Sequence, residues 1–329
     1  MNRVFQAEYK GDLSPYDFER KALAEIGVEL VIARCADGLE LIDRAADAEV
    51  LWIEWTPPVD HVVLEKLPGC RLVMRWGTGY DQIDVEAATQ LGVAVANAPH
   101  YGTENVAEHT MALLLALARG VCRDNERMSG GGWRDPTTSY QRLSGHTLGV
   151  LGLGRIGRRV ASLGVAFGCR VVAHDPLSGI EVPVGVTLAG PDEVVATSEY
   201  LCIHVPLDRS TRHMVNADML ARARPDLLLV NTSRGPVVDE AALLAALDAG
   251  QIAGAALDVF EVEPLPVDSP LRAHPKVILT PHEASESLEA TPDLREEMCR
   301  ATIEWFATGW TESVVNPEVR ANLRPGARP

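Results

Sequence analysis

The stretch 148–175, LGVLGLGRIGRRVASLGVAFGCRVVAHD, restricts the possible folds of this chain more than any other. An apolar run ends at Val150 and Leu151, GLGRIG follows at 152–157, and a helical pattern opens directly behind it. In such a strand–turn–helix the first glycine makes a tight turn and the second lets backbone approach a pyrophosphate. The third lets helix and strand pack closely. Gly152, Gly154 and Gly157 hold those positions, with Arg155 and Ile156 between the last two. The free N–H groups and positive dipole at the helix start suit phosphates. A second apolar run over 169–173 leads to Asp175, 18 positions after Gly157. A carboxylate there accepts both hydroxyls of an adenosine ribose and repels a 2′-phosphate. Pro176, Leu177 and Ser178 supply no arginine for such a phosphate, so the reading is NAD and not NADP. A glycine-rich turn between core elements would also contain GxGxxG. Strand, helix, second strand and acid in register favour a dinucleotide site.

The same βα rhythm runs through most of the chain. Short apolar runs at 3–6, 28–33, 50–54, 72–75 and 93–96 alternate with amphipathic stretches at 16–26, 39–45, 59–65 and 85–90. Seven further runs lie near 148–152, 169–173, 185–188, 199–205, 226–231, 253–258 and 276–280. This pattern predicts the α/β class, with parallel sheets covered on both faces. The second set makes a doubly wound sheet, and the first carries no phosphate-binding glycine loop. At 329 residues the chain suits two domains. The breaker cluster NAPHYG at 97–102 marks the crossover between them. A long apolar helix is predicted over 103–122 with Thr103 as N-cap, then a loop-rich stretch over 124–144. A final helix over 287–307 carries the chain back to the first domain. The helix at 103–122 is apolar on more than one face, which fits either an interdomain position or contact with a second subunit.

Composition excludes several functions. Lys plus Arg number 30 against 46 Asp plus Glu, and the formal charge of −16 opposes broad contact with nucleic acid or an anionic membrane. The longest apolar helical run, 111–118, is too short to span a bilayer. Charges at Arg3, Glu8, Lys10 and Asp12 argue against a signal peptide. Cysteines at 35, 70, 122, 169, 202 and 299 show no paired spacing. That pattern predicts buried free thiols in a reducing cytosol, with no disulfide framework and no zinc or other metal site.

Ligands of such a sheet lie beyond the carboxyl ends of its strands. LLLVNTSRG at 227–235 ends on Arg234, AGAALDVFEVEP at 253–264 carries Asp258 and Glu263, and VILTPHEAS at 277–285 carries His282. The planar fork of Arg234 can hold a carboxylate and polarise an adjacent carbonyl. His282 can give a proton to that carbonyl oxygen as hydride arrives from a nicotinamide. Glu263 can accept the other imidazole N–H, fixing the tautomer and stabilising the imidazolium. Asp258, ending an apolar strand, reads as a partner for the carboxamide side of the nicotinamide. Singly, these residues read as a solvated arginine, a Glu-Pro turn and a surface histidine. Their placement beside a dinucleotide fold favours one site.

Seven motifs in order resemble the D-isomer-specific 2-hydroxyacid dehydrogenases: RWGTGYDQID (75–84), NAPHYGTENVAEHTMALLLALAR (97–119), GLGRIG with Asp175, HVPL (204–207), NTSRGPVVDE (231–240), DVFEVEP (258–264) and TPH (280–282). The resemblance implies two Rossmann-like domains with the active site in the interdomain cleft. Residues 1–99 plus 284–329 would form a flavodoxin-like substrate-binding domain, and 100–283 the NAD-binding domain. It implies Arg234, Glu263 and His282 as the catalytic set, and backbone around Trp76 and Gly77 as a substrate-carboxylate site. Implied NAD contacts are Arg155, Ile156, Asp175, His204, Pro206, Thr232, Ser233 and Asp258, with Val106 against the nicotinamide. A homodimer built on the helix at 103–122 is implied as well.

Three positions depart from the family pattern. Glu283 follows the histidine where an apolar or small residue is usual, Asn105 replaces a frequent serine, and Glu54 stands where phosphoglycerate enzymes commonly have a basic residue. The substrate is therefore read as a 2-hydroxy or 2-oxo acid with a neutral or cationic side chain. Trp55 and Trp76 either wall that side chain or pack a domain surface. No added regulatory domain is expected after the last helix. A formate- or phosphite-type dehydrogenase and a dinucleotide-sensing, corepressor-like scaffold remain as alternatives.

Overall fold

A computed structural model describes residues 2–8, 16–177 and 179–325. Lys10, Asp12 and Ser178, which entered the sequence arguments, lie outside the described residues. The chain divides into two compact units, Met1–Gly102 with Ser287–Pro329, and Thr103–Glu286. The expected cuts were 99/100 and 283/284.

In the first unit, five parallel strands, β1 (Arg3–Glu8), β2 (Glu29–Arg34), β3 (Val50–Ile53), β4 (Leu72–Arg75) and β5 (Ala94–Ala96), lie in the order β2-β1-β3-β4-β5. Their interiors are apolar without alternation because helices cover both faces. Every residue of β3 is fully buried. The connecting helices are α1 (Asp17–Ala24), α2 (Gly38–Arg44), α3 (His61–Lys66) and α4 (Val85–Gln90). Aspartates set three of their starts: Asp37 accepts from Leu39 and Glu40 N–H, Asp60 from Val63 N–H, and Asp84 from Ala87 N–H. Helix α3 begins later than the apolar pattern suggested, since Asp60 caps it and Val59 pairs with Ile83 as an isolated bridge.

The second unit opens with α5 (Thr103–Arg119) and α6 (Val121–Ser129). The single helix predicted over 103–122 is therefore two. Gly120 breaks it with φ 60, a left-handed conformation that side chains resist. Thr103 is the first helical residue rather than a cap outside it. The stretch expected to be loop-rich begins with α6, which buries none of its side chains, so its sequence shows no core-facing stripe. Arg127 ties α6 to the following loop, 3.1 Å from Asp124 and 3.4 Å from Asp135.

Each of the seven expected runs is a strand: β6 (Thr147–Leu151), β7 (Arg170–His174), β8 (Val186–Leu188), β9 (Tyr200–Ile203), β10 (Leu228–Asn231), β11 (Gly254–Leu257) and β12 (Val277–Leu279). They form one parallel sheet in the order β12-β11-β10-β9-β6-β7-β8. Helices α7 (Arg155–Ala166), α8 (Pro191–Thr197), α9 (Ala217–Leu220) and α10 (Glu240–Asp248) link them. The order reverses between β6 and β9, and GLGRIG leaves β6 at that point, where doubly wound sheets hold ligands.

The last helix, α11 (Ala290–Thr308), belongs to the first unit. Its Met298, Cys299 and Trp305 join the core of Val4, Trp52 and Met74, and Trp52 Nε1 donates to Thr302 Oγ1 at 3.0 Å. No helix among the described residues is long and apolar enough to cross a membrane.

Candidate active site

The glycine loop has the shape its sequence demands. Gly152 takes φ 91, and a Cβ there would lie 2.6 Å from the His204 carbonyl carbon. A Cβ on Gly157 would lie 1.9 Å from Gly152 O, so only hydrogen fits between helix and turn. Gly154, by contrast, faces open space, and no side chain caps the start of α7. The first-turn N–H groups are thus available to an anion. Asp175 lies at the lip of the same loop. Its Oδ2 accepts from Leu153 N–H at 2.7 Å and its Oδ1 from Leu177 N–H at 3.0 Å. Carboxylate, open backbone and helix start together fit NAD.

His204 is a second feature of this loop. Its Nε2 is buried without a hydrogen-bond partner, and burial pushes its pKa down to about 3, so the ring is neutral. Pro206 is exposed, while Val106 and Thr232 are buried, each 8% exposed. Thr232 Oγ1 lies 2.8 Å from Thr110 Oγ1, and Ser233 gives both its N–H and its hydroxyl to Asn231 Oδ1, at 3.0 and 2.9 Å.

The catalytic candidates follow three neighbouring strands. Arg234 follows β10, and Gly235 behind it fits so tightly that a Cβ would lie 1.9 Å from the Phe260 carbonyl. That contact locks the arginine turn against the segment leading to Glu263. Asn231 Nδ2 donates to Arg234 O at 2.9 Å, and Arg234 Nη1 donates to Ser233 O at 2.8 Å. Glu263 Oε1 accepts from Phe260 N–H at 2.8 Å, and its Oε2 is 2.7 Å from His282 Nδ1. Burial raises the pKa of Glu263, but the His282 hydrogen bond and charge, the Phe260 N–H and the Arg234 charge outweigh it. The net shift is below the usual carboxylate range. The group therefore stays ionised beside the imidazole. His282 itself sits at φ 57. Such a conformation in a residue with a Cβ costs energy and persists only where its surroundings impose it.

Those surroundings are organised by Asp258, whose side chain is fully buried. Oδ1 accepts from Thr280 Oγ1 at 2.6 Å and from Glu283 N–H at 3.1 Å, and Oδ2 accepts from Ala284 N–H at 2.9 Å. The carboxylate thus grips the chain on both sides of His282. His109 closes the network, its Nε2 3.1 Å from Thr280 Oγ1 and 3.6 Å from Asp258 Oδ1. Asn105 Nδ2 adds a bond to Ser285 O at 2.9 Å, and the Glu283 residue is exposed. His109 and Thr280 were missed as functional residues. Their signal, the H of AEHT and the T of TPH, was present but had no chemistry until β11 and β12 placed them beside Asp258.

The remaining candidates, Trp55, Trp76 and Gly77, belong to the first unit. Gly77 takes φ 137, with Arg75 Nη1 3.0 Å from where a Cβ would stand. Trp76 packs against Trp52 and Tyr16, with ring centroids 5.2 and 5.9 Å apart, and Trp55 is 40% exposed with the Arg75 guanidinium 4.8 Å from its ring.

The family model of the D-isomer specific 2-hydroxyacid dehydrogenase NAD binding domain matches residues 111–284. A glyoxylate reductase of Korarchaeum cryptofilum is 38% identical over 292 residues, covering 87% of this chain and 88% of that protein. A D-3-phosphoglycerate dehydrogenase of Methanocaldococcus jannaschii is 40% identical over 273 residues, 82% of this chain but 52% of that longer protein. Among solved structures, D-lactate dehydrogenase from Aquifex aeolicus, complexed with NAD and lactic acid, superposes with a TM-score of 0.81 at 29% identity, covering 94% of this chain and 96% of that one.

Proposed function

Since the chain belongs to the D-isomer-specific 2-hydroxyacid dehydrogenase family, we propose that Arg234, Glu263 and His282 carry its hydride-transfer chemistry. It is an NAD-dependent oxidoreductase interconverting a D-2-hydroxy acid and a 2-oxo acid. The observation that carries the assignment of residues is the 2.7 Å contact between Glu263 Oε2 and His282 Nδ1, on a carboxylate that also feels the charge of Arg234.

Gly154 and the start of α7 would hold the pyrophosphate of NADH and Asp175 its adenosine ribose, and the bound cofactor would supply the hydride. With Nδ1 committed to Glu263, His282 presents Nε2 to the carbonyl oxygen and delivers the proton as hydride reaches C2. Glu263 stabilises the imidazolium that must exist before that transfer and re-forms in the oxidative direction. Arg234 holds the substrate carboxylate and draws density from the carbonyl. Asp258 acts through the 280–284 loop, keeping the imidazole where the carbonyl arrives.

The reading includes a homodimer formed through α5 and α6, where Val121, Met128 and the following Trp133 expose apolar surface at 57, 50 and 73%. It also includes a cytoplasmic location, in which six unpaired thiols, five of them buried, stay reduced. The test is to mix the purified chain with NADH and a panel of 2-oxo acids and to follow loss of NADH absorbance. Turnover to the D-hydroxy acid supports the proposal. Oxidation of formate or phosphite alone, or tight NADH binding with no turnover, would overturn it and favour the alternatives.

A further inference from the structure

Among the described residues, two that carry a side chain take a left-handed φ, His282 at 57 and His213 at 51. A conformation of that kind persists where its surroundings impose it. Both are histidines, and both face a carboxylate of the same short segment. His282 meets Glu263. His213 Nε2, itself buried, lies 3.1 Å from Glu261 Oε1, an ion-pair distance without the alignment of a hydrogen bond. His213 stands between β9 and α9 and is pinned through its backbone. Its N–H donates to Pro236 O at 2.8 Å, and Val215, two positions on, pairs with Val238. Proton transfer at His282 does not itself involve this second imidazole.

Glu261 is tied to the start of α10 in both directions. Its Oε1 accepts from Glu240 N–H at 3.0 Å, and its own N–H donates to Glu240 Oε1 at 2.6 Å. The positive dipole at a helix start favours a carboxylate in the first turn, where Glu240 stands. The peptide between Phe260 and Glu261 is held from a second side as well. Its carbonyl carbon and nitrogen lie 1.9 and 2.5 Å from where a Cβ on Gly235 would stand, so it packs on the turn that carries Arg234. Phe260 N–H donates to Glu263 Oε1 at 2.8 Å, which leaves Oε2 for His282 Nδ1 at 2.7 Å. A turn about this one peptide changes the path of residues 261–263, and with it the aim of the Glu263 carboxylate. Three carboxylates share the region. Burial and the charges of Glu261 and Glu263 push the Glu240 carboxyl above its usual range, against the pull of the Glu261 N–H. When protonated, His213 offsets charge at Glu261 as His282 does at Glu263.

Resting on the dehydrogenase reading above, we propose that His213, Glu240 and Glu261 are positioning residues that hold Glu263 on His282 Nδ1. The ties act in series. Glu240 and Glu261 fix the 260–261 peptide, and His213 keeps the Glu261 side chain where both reciprocal bonds form. A neutral imidazole carries its proton on the nitrogen that faces an acceptor, so Glu263 keeps that proton on Nδ1 and leaves the Nε2 lone pair for the substrate. Without the brace the Glu263 carboxylate drifts, and the ring samples the other tautomer. A ring protonated on Nε2 cannot accept the hydroxyl proton in the oxidative direction. Proton-transfer groups are held to within about 0.5 Å, and a misplacement of about 1 Å costs on the order of 100-fold. Loss of the brace should therefore cost about tenfold in kcat.

The test uses the full chain and two readouts. Steady-state kinetics with NADH and a 2-oxo acid separate kcat from KM. The ring-nitrogen NMR shifts of His282 in histidine-labelled protein at alkaline pH, assigned by their loss in His282→Gln, report the tautomer without turnover. Glu261→Ala removes the side-chain half of the reciprocal pair, and Glu240→Ala removes the other half and serves if Glu261→Ala melts early. Each should lower kcat about tenfold, leave the NADH KM within about threefold, and draw the two nitrogen shifts toward each other. Glu261→Gln keeps the acceptor for Glu240 N–H and loses only the ion pair, so it should recover to within about threefold of wild type. His213→Asn, whose side chain tolerates the left-handed φ, removes the same ion pair and should match it. Wild-type kcat and wild-type nitrogen shifts in both alanine variants, even with lowered melting temperatures, would overturn the proposal. So would a Glu261→Gln protein as impaired as Glu261→Ala. Nitrogen shifts that converge in the alanine variants, with no reduction of any 2-oxo acid by the wild-type chain, would support the brace while refuting the dehydrogenase assignment. Reduction of 2-oxo acids at the wild-type rate in both alanine variants would do the reverse.

Discussion

Replacing Asp258 by Asn tests whether the buried carboxylate holds His282 in place. In the wild-type chain, one carboxylate oxygen serves Thr280 Oγ1 and Glu283 N–H and the other serves Ala284 N–H. In Asp258→Asn the amide oxygen can retain the first two bonds, but the NH2 group meets the Ala284 N–H donor to donor. Leaving that buried N–H unsatisfied costs about 1–3 kcal/mol. The two surviving bonds weaken from charge-assisted to neutral by about 1 kcal/mol each. Loss of a desolvated charge returns part of this, so the net cost is about 2–4 kcal/mol. At roughly 2–4 °C per kcal/mol for a domain of this size, the melting temperature should fall by about 5–15 °C. Activity should suffer more than stability. An imidazole displaced by about 1 Å loses on the order of 100-fold in rate. The assay is steady-state kinetics with NADH at a temperature where the variant is fully folded. The expected result is kcat down about 100-fold with the NADH KM within about threefold, because the 152–157 loop is untouched. A variant with unchanged kcat and a strongly raised NADH KM would refute the reasoning and return Asp258 to the carboxamide role.

Four other outcomes follow from the geometry. Glu263→Gln keeps an acceptor for Phe260 N–H but removes the charge beside His282, so kcat/KM should fall about 10- to 100-fold with little change in melting temperature. Gly154→Ala meets nothing within 4 Å and should fold normally while raising the NADH KM at least about tenfold. Gly157→Ala, with its Cβ 1.9 Å from Gly152 O, should lose about 1–3 kcal/mol or more of stability as well. His204 is held neutral by burial, with its pKa pushed from 6.5 to about 3. The unfolded chain therefore takes up this proton first as pH falls, and stability is lost from pH ~6.5 downwards, by about 2 kcal/mol at pH 5. Denaturant melts of His204→Asn against wild type across that range should show the difference shrink by that amount, and parallel curves would contradict it.

The dinucleotide loop was legible in sequence because its constraints are local. Three glycines, two strands and an acid all lie within 28 residues, 148–175. The candidate set could be named from sequence because Arg234, Glu263 and His282 each follow an apolar strand run, and parallel strands deliver their ends to one edge. What escaped was non-local or masked by composition. The break at Gly120 is a single backbone torsion inside an otherwise helical pattern, and α6 presents no apolar stripe to reveal it. The grip of Asp258 on Thr280, Glu283 and Ala284 spans two strands, so these bonds could not be read from the aspartate alone.

The central claim is that a carboxylate-backed imidazole delivers the proton while hydride moves to C2. Single-turnover oxidation of bound NADH by a saturating 2-oxo acid, compared between wild type and His282→Gln, measures that step alone. The account predicts a fall of about 10²–10⁴-fold with NADH affinity retained. Equal single-turnover rates in the two proteins would contradict it.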